Sequence, residues 1–304
     1  MVYIFGGIAV NCLWGLAFLA PYVLADTSPL MIVFGRYVVY GALSLAIMVF
    51  AHKSLAAAHW RMAFVLAFTG NVGYFLLMAL AVQFAGIAIA ALIIGVLPVV
   101  MALWGNWHER TVPFSHLIVP LALILGGLAA LNGHTLAAAE SSKDLTNTLW
   151  GIGFALGALV LWSHYGVKNA LYLKRHTDID ALGWANVIGV ASMVQVVIGL
   201  LGYGLIFGFD LMPSTSEGLW DLIWVSLGLG VVVSWFATHV WNLTSRHVPI
   251  VLVGQLIVFE TVSSIVYGHL ADQSWPNLIT AVSVLTVVFA VVLSLRIIGK
   301  YKDA

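Results

Sequence analysis

The chain is predicted to be an all-α integral membrane protein, with ten transmembrane helices arranged as two inverted five-helix repeats. Three observations predict it. Of 304 residues, 62 % are hydrophobic and only 8 % charged, against roughly one-quarter charged in soluble domains. The apolar residues gather into ten runs, most of them matching the ~20 residues that carry a helix across ~30 Å of hydrocarbon. Those runs divide five and five about a polar stretch near the chain midpoint. An odd number of crossings makes the second set enter the membrane from the opposite side.

The runs are 3–25, 29–51, 60–81, 86–105, 116–133, 148–172, 180–208, 218–242, 248–268 and 276–298. Barrel strands would alternate with period two over about ten residues. Residues 89–103 are instead apolar on every face, so the runs are read as helices. The first run has Val23, Leu24 and Ala25 where a signal peptide has its processing site. It is nevertheless expected to stay as a helix, because no Lys or Arg precedes it and it exceeds a signal core.

Taken in order, the first run places Asn11, Trp14, Phe18 and Tyr22 on one face, and the second carries Arg36. The third places Asn71, Tyr74, Phe75 and Met78 together, and the fourth contains Pro98. Small residues recur every fourth position in the fifth (Ala122, Gly126, Ala130), sixth (Gly153, Gly157) and seventh (Gly204, Gly208), letting helix backbones approach. Such faces serve packing within the molecule or a homodimer equally. The eighth run aligns Trp235, His239 and Asn242, and the ninth aligns Glu260 with Ser263, Ser264 and Tyr267. Gly6-Gly7, Gly126-Gly127 and Pro98 are expected bending points.

With the N-terminus inside, ten of the twelve Lys and Arg fall on the cytoplasmic side: Lys53, Arg61, Arg110, Lys168, Lys174, Arg175, Arg246, Arg296, Lys300 and Lys302. Lys143 lies opposite and Arg36 within a span. Because positive residues stay in the cytoplasm during insertion, both termini are expected there. The formal net charge is zero, and no basic run or aromatic-interleaved patch suggests a nucleic-acid partner. The lone Cys12 allows neither an intrachain disulfide nor a cysteine metal cage.

The polar stretch 136–147, with Glu140, Lys143 and Asp144, is read as a linker between repeats 1–135 and 148–299, with 300–304 as a tail. Adding 163 to a first-half position finds a related context: Gln83 and Arg246, Gly86 and Pro249, Trp104 and Tyr267, Gly105 and Gly268, Glu109 and Asp272, Pro113 and Pro276.

The chain resembles the drug/metabolite transporter superfamily, specifically bacterial EamA-type proteins. The resembling pieces are NCLWG at 11–15, PLMIVFGRY at 29–37, LPVVMALWGNWHER at 97–110, WNLTSRHVP at 241–249 and GQLIVFETVSSIVYGHLAD at 254–272. The resemblance implies a bacterial inner-membrane exporter of small organic metabolites, amino-acid-like or aromatic, or of drugs. It also implies alternating access and a proton gradient as driving force. Two positions depart from the family: Glu260-Thr261 stands where Glu-Pro is frequent, and Asp272 where Glu is common. Loss of that proline is expected to remove a helix irregularity.

Arg36 and Glu260 stand inside apolar spans, where a central charge costs about 2.5–3.5 kcal/mol. Arg36 follows Pro29 by seven residues and Glu260 precedes Gly268 by eight, so both lie roughly 10–12 Å below the outer surface. Two readings stay open: a structural ion pair joining the halves, or side chains facing a watery cavity to bind substrate or a coupling proton. A third has Arg36 extended to the headgroups. Asn11, Trp14, Asn71, Tyr74, Trp235 and Ser264 set polar groups among rings, as a pocket for an amphipathic solute would. The same residues equally suit hydrogen bonding between packed helices.

Trp60, Trp104, Trp107, Trp220 and Trp275 are read as interfacial belt residues. Of ten histidines, His164 and His239 lie within spans as proton-relay candidates. His52, His59, His108, His116, His134, His176, His247 and His269 fall near helix ends and are expected to be solvated.

An enzyme would need a nucleophile, base or metal set, and neither H-E-x-x-H nor G-x-S-x-G occurs. Gly151, Gly153 and Gly157 approach a dinucleotide pattern without the strand that gives it meaning. No cofactor and no metal are expected. A channel would show a ring of like charge, which the spans lack. Rocking of two halves about a mid-membrane cavity is therefore the expected mechanism. Reporter fusions are expected to place both termini on the cytoplasmic side and a fusion within 136–147 on the other.

Overall fold

The computed structural model describes residues 1–24, 27–51, 57–138, 145–208, 211–213, 215–271 and 273–302. Lys53, His52, Asp272 and most of the linker, including Lys143, lie outside the described residues, as do the side chains of Phe18, Tyr22 and His134. Among the described residues the chain is helical and contains no strand. That follows from its solvent, because hydrocarbon offers no partner for backbone N–H and C=O groups and a helix satisfies them within one segment.

The elements are α1 (Val2–Gly15), a 3-10 turn (Leu16–Leu19), α2 (Ala20–Val23), α3 (Pro29–Phe50), α4 (Ala57–Ala67), a π turn (Phe68–Val72), α5 (Gly73–Ala85), α6 (Ile87–Ile94) and α7 (Leu97–Glu109). They continue as α8 (Phe114–Ala138), α9 (Leu145–Arg175), α10 (Ala181–Phe207), α11 (Ser216–Gly228), a second π turn (Leu229–Phe236), α12 (Ala237–His247), α13 (Ile250–Leu256), α14 (Val258–Ala271) and α15 (Leu278–Lys302). Joined across their irregular turns, these give nine apolar segments long enough to cross a membrane among the described residues, with mean hydropathy from 1.5 to 2.7. Val2–Gly15 is a shorter apolar helix that continues through the 3-10 turn into α2.

Proline and glycine set many boundaries. Pro29 and Pro98 occupy the first turns of α3 and α7, where a missing N–H costs no helical bond. The expected bend at Pro98 falls just before it, at Gly95-Val96 between α6 and α7. By contrast, α1 and α8 run unbroken through Gly6-Gly7 and Gly126-Gly127. Loss of the proline after Glu260 does not remove the irregularity of that span. The helix still breaks at Ile257, whose N–H bonds the Gly254 carbonyl only three residues back, at 3.3 Å.

The irregularities recur in the register of 163. The π turns at Phe68–Val72 and Leu229–Phe236 overlap on that shift, and the breaks at Gly95-Val96 and Ile257 fall one residue out of it. Among the described residues the two non-glycine residues with positive φ are Arg110 and Gln273, both at 50° and 163 apart. The first helices follow a second register, of 148, that relates Trp14 to Trp162, Gly35 to Gly183, Gly41 to Gly189 and Ser44 to Ser192.

The molecule is built across the halves. The main packings are α3 on α10, α5 on α9, α8 on α15, α7 on α13, and α1 on α14 and α12. At the α3–α10 crossing, Gly41 lies against Gly189, and a Cβ on Gly41 would stand 2.8 Å from the Gly189 carbonyl oxygen. Tyr40 spans the same crossing through a 2.6 Å bond to the Ala185 carbonyl. The stripe glycines Gly126 and Gly153 have no atom within 4 Å of a built Cβ. They face away from the core.

Gly41→Val is expected to destabilise the detergent-solubilised protein by about 1–3 kcal/mol through overpacking. Gly126→Val, with open space around it, should leave the thermal midpoint unchanged.

Candidate functional site

Both termini lie at one end of the bundle, for Tyr3 stacks on His247 at 3.9 Å and Tyr301 bonds His116 at 3.0 Å. This terminal end is sealed by contacts between the halves. Glu109, closing α7, pairs with Lys174 of α9 and accepts the Ile250 N–H of α13 at 2.5 Å. Within the second half Lys174 also donates to the Val248 carbonyl at 2.9 Å, and Arg246 donates to the Ile179 carbonyl. Gly105 permits this approach, since a Cβ there would meet the Ile250 Cβ at 2.7 Å.

His59 and His176, expected to be solvated, belong to the same closure. His59 Nδ1 lies 2.6 Å from Tyr172 Oη, and its ring meets His176 edge-on at 5.6 Å. The correction has a simple cause: α4 and α9 bring their ends together, and rings at helix ends bury against one another when the opposing end supplies partners. Trp107, Trp220 and Trp275 are exposed, as belt residues should be.

Deeper in the bundle, Arg36 and Glu260 do not form an ion pair. Arg36 Nε donates instead to Ser234 Oγ at 2.8 Å, and its guanidinium carbon lies 5.3 Å from the Tyr37 ring centroid. The half-buried Glu260 carboxylate has no hydrogen-bond or ion-pair partner among the described residues, although it lies within range of the Arg36 charge. Tyr74 interacts electrostatically with Glu260, Tyr37 and Arg36, which places side chains from α3, α5 and α14 in one neighbourhood.

A ring cluster lies beside it. Trp14 donates its indole N–H to the Val233 carbonyl at 3.0 Å, and its ring stands 6.2 Å from Trp162 and 5.0 Å from Trp241. Tyr74 reaches Trp162 at 6.4 Å. Trp14 and Trp162 are equivalent in the 148 register, so related residues meet edge-on across the molecule. Among these, Trp14 and Tyr74 are half-buried, whereas Trp241 is fully buried.

The other expected residues divide between packing and unpartnered groups. Asn71 donates to Ser192 Oγ at 2.7 Å, Trp235 to Asn186 Oδ1 at 2.8 Å, and Ser264 to the Thr261 carbonyl at 2.9 Å. Asn11 turns its amide to the Gly7 carbonyl at 2.7 Å and leaves Oδ1 unpaired. His164 and His239 each keep a buried Nδ1 without a partner.

Residues missed from the sequence include Ser234, Ser192, Asn186, Trp162 and Trp241. Ser234 carried a signal, because it is the 163-shifted equivalent of Asn71, and both sit in π turns. Each π turn thus aims one polar side chain at a helix of the other half. A surface depression of ≈ 260 Å³ lined by Leu131, Ile265, Gly268, His269 and Thr280 involves none of the expected residues.

Residues 1–133 match the EamA-like transporter family. The chain is also 30 % identical over 298 residues to the inner membrane protein YtfF of Escherichia coli (strain K12), covering 93 % of this chain and 92 % of that protein. The chain belongs to the EamA-like transporter family. Within the drug/metabolite transporter superfamily, then, this EamA-like chain is a multi-pass membrane transporter. A solved crystal structure 17 % identical to it superposes with a TM-score of 0.75 over 97 % of this chain and 98 % of its own, which shows that the fold is shared.

A double-mutant cycle with Arg36→Gln and Ser234→Ala is expected to give a coupling of about 0.6–1.7 kcal/mol, the range for interhelical hydrogen bonds in membranes. The same cycle between Arg36 and Glu260 should give less.

Proposed function

We propose that this EamA-like chain is a secondary active carrier of the bacterial inner membrane that exports small organic solutes, amino-acid-like or aromatic, by alternating access. The carrying observation is the Glu260 carboxylate, held without a partner among Arg36, Tyr74 and the Trp14 ring system while the terminal end is sealed by Glu109, Lys174 and Ile250. An intramembrane carboxylate is costly to maintain and marks a substrate or proton site. Rings beside it supply apolar contact while the charges orient the solute.

The architecture in this reading is ten spans in two inverted five-helix repeats, with 2–23 as the first span. Its support is the recurrence of π turns and positive-φ residues at 163, together with the packings α3–α10 and α8–α15 and the pair α5–α9 and α1–α12, which map onto each other when the halves are exchanged. The inner-membrane name of the Escherichia coli relative supports the location, and the Lys and Arg distribution supports cytoplasmic termini. Residues 1–135 and 148–299 are the two moving units.

In this mechanism solute enters where the carboxylate is reachable, and a proton taken up by Glu260 removes the charge that retains it. Arg36, tied to Ser234, stays in place as a fixed positive partner for an anionic group. Asn71, Trp235 and Ser264 hold the walls, and the imidazoles of His164 and His239 stand toward the terminal side as secondary proton carriers.

Purified protein in liposomes, screened with amino acids, nucleosides and cationic dyes, tests the reading. Flux driven by an imposed pH gradient is expected for one of these classes. Glu260→Gln should abolish the dependence on that gradient while leaving the protein folded. Unchanged coupling in this variant would overturn the role of Glu260.

A further inference from the structure

We infer that the molecule closes its opposite end by bringing the start of α6, at position 87, onto Gly268 of α14. This inference rests on the carrier reading above and deepens it, by naming the surface on which the second closed state is made.

At the terminal end α7 packs on α13 across the halves, and within the second half α12 packs on α9 and α10. Exchange of the halves converts them into α14 on α6, the α1–α2 segment on α5, and α3 on α5. None of the three converted packings is among the main helix packings of the described residues. The asymmetry therefore belongs to the state of the molecule and not to its repeated architecture, since α3–α10 and α8–α15 survive the exchange, as do the pairs α5–α9 with α1–α12 and α1–α14 with α7–α9.

Single residues show the same thing. Gly105 lies so close to Ile250 that a Cβ would stand 2.7 Å from the Ile250 Cβ and 3.1 Å from its carbonyl carbon. Close by, a Cβ on Gly254 would stand 2.9 Å from the Ala102 nitrogen. The shift of 163 turns Gly105 into Gly268 and Ile250 into Ile87, the same two residue types. Yet a Cβ on Gly268 would meet nothing within 4 Å. A glycine kept bare on a helix in open space gains nothing in this conformation, where alanine would be the better helix former. It has a use when a second backbone arrives.

Physically, a glycine facing an isoleucine at the crossing of two helices is a contact that either forms fully or not at all, because close-packed surfaces are bistable and do not deform continuously. The contact is built twice in the chain and made once. Alternating access needs the two versions to alternate.

The test uses the full chain in membrane vesicles with Cys12→Ser as background. One variant carries Gly105→Cys and Ile250→Cys, the other Ile87→Cys and Gly268→Cys. Oxidative cross-linking is expected in both, read as loss of thiol labelling. Within the second half Asn242 of α12 bonds Asn169 of α9 and the Ala181 carbonyl of α10, a packing that exchange of the two conformations would undo, so Asn242→Cys reports opening of the terminal end. Cross-linking 87 to 268 should increase its labelling by an impermeant maleimide, and cross-linking 105 to 250 should remove it. Gly268→Leu fits the open space here, so it should fold normally, lose transport, and leave Asn242→Cys unlabelled.

Failure of the 87–268 link in a protein whose Asn242→Cys does become labelled would overturn the inference and leave the carrier reading standing. Wild-type flux in Gly268→Leu would overturn it equally. If Asn242→Cys is never labelled and no solute is carried, the carrier reading fails and this inference with it.

Discussion

An ionised side chain cannot face hydrocarbon, and that constraint fixes how the helices of this protein are turned. Arg36 and Glu260 stand in the middle of apolar spans, so α3 and α14 must present those faces to the interior. Arg36 meets the requirement through Ser234, a side chain that the second π turn aims across the boundary between the halves. Asn71 does the same from the first π turn toward Ser192. Widened turns are locally unfavourable, and their retention at equivalent places in both halves follows from the polar contacts they make.

The two ends of the molecule differ in kind. The terminal end is a plate of charged and aromatic side chains in which Glu109 takes two partners from the second half, Lys174 and the first N–H of α13. Carboxylates favour helix N-termini, so this residue satisfies an orphan donor and a cation together. The opposite end has no such plate among the described residues, and Glu260 lies on that side of the seal. Among the described residues its half-buried carboxylate has no partner and lies beside half-buried Trp14 and Tyr74.

Much of the fold was legible in the sequence because lipid imposes a blunt rule, an apolar run of fixed length for each crossing. Each expected run overlaps an observed helix, and the register of 163 that the π turns follow was readable from Gly105 and Gly268. The register of 148 was not readable, since Trp14 and Trp162 or Gly41 and Gly189 are too few and too ordinary to stand out. Local irregularity was legible only where proline causes it, as at Pro98. The break at Ile257 and both π turns arise from packing and polar contacts, which leave no local mark.

The site was legible by type more than by partner. Arg36 and Glu260 stood out from charge alone, whereas Ser234 reads as an unremarkable serine and only tertiary structure makes it the partner of Arg36. His59 and His176 misled for the same reason, because position near a helix end does not say what the neighbouring helix end supplies. The most direct test of a chamber open on one side is the reactivity of Glu260→Cys toward a membrane-impermeant thiol reagent in a Cys12→Ser background. Labelling from the side opposite the termini, and none from the terminal side in the absence of solute, is the expected result. Labelling from the terminal side, or from neither aqueous side, would contradict it.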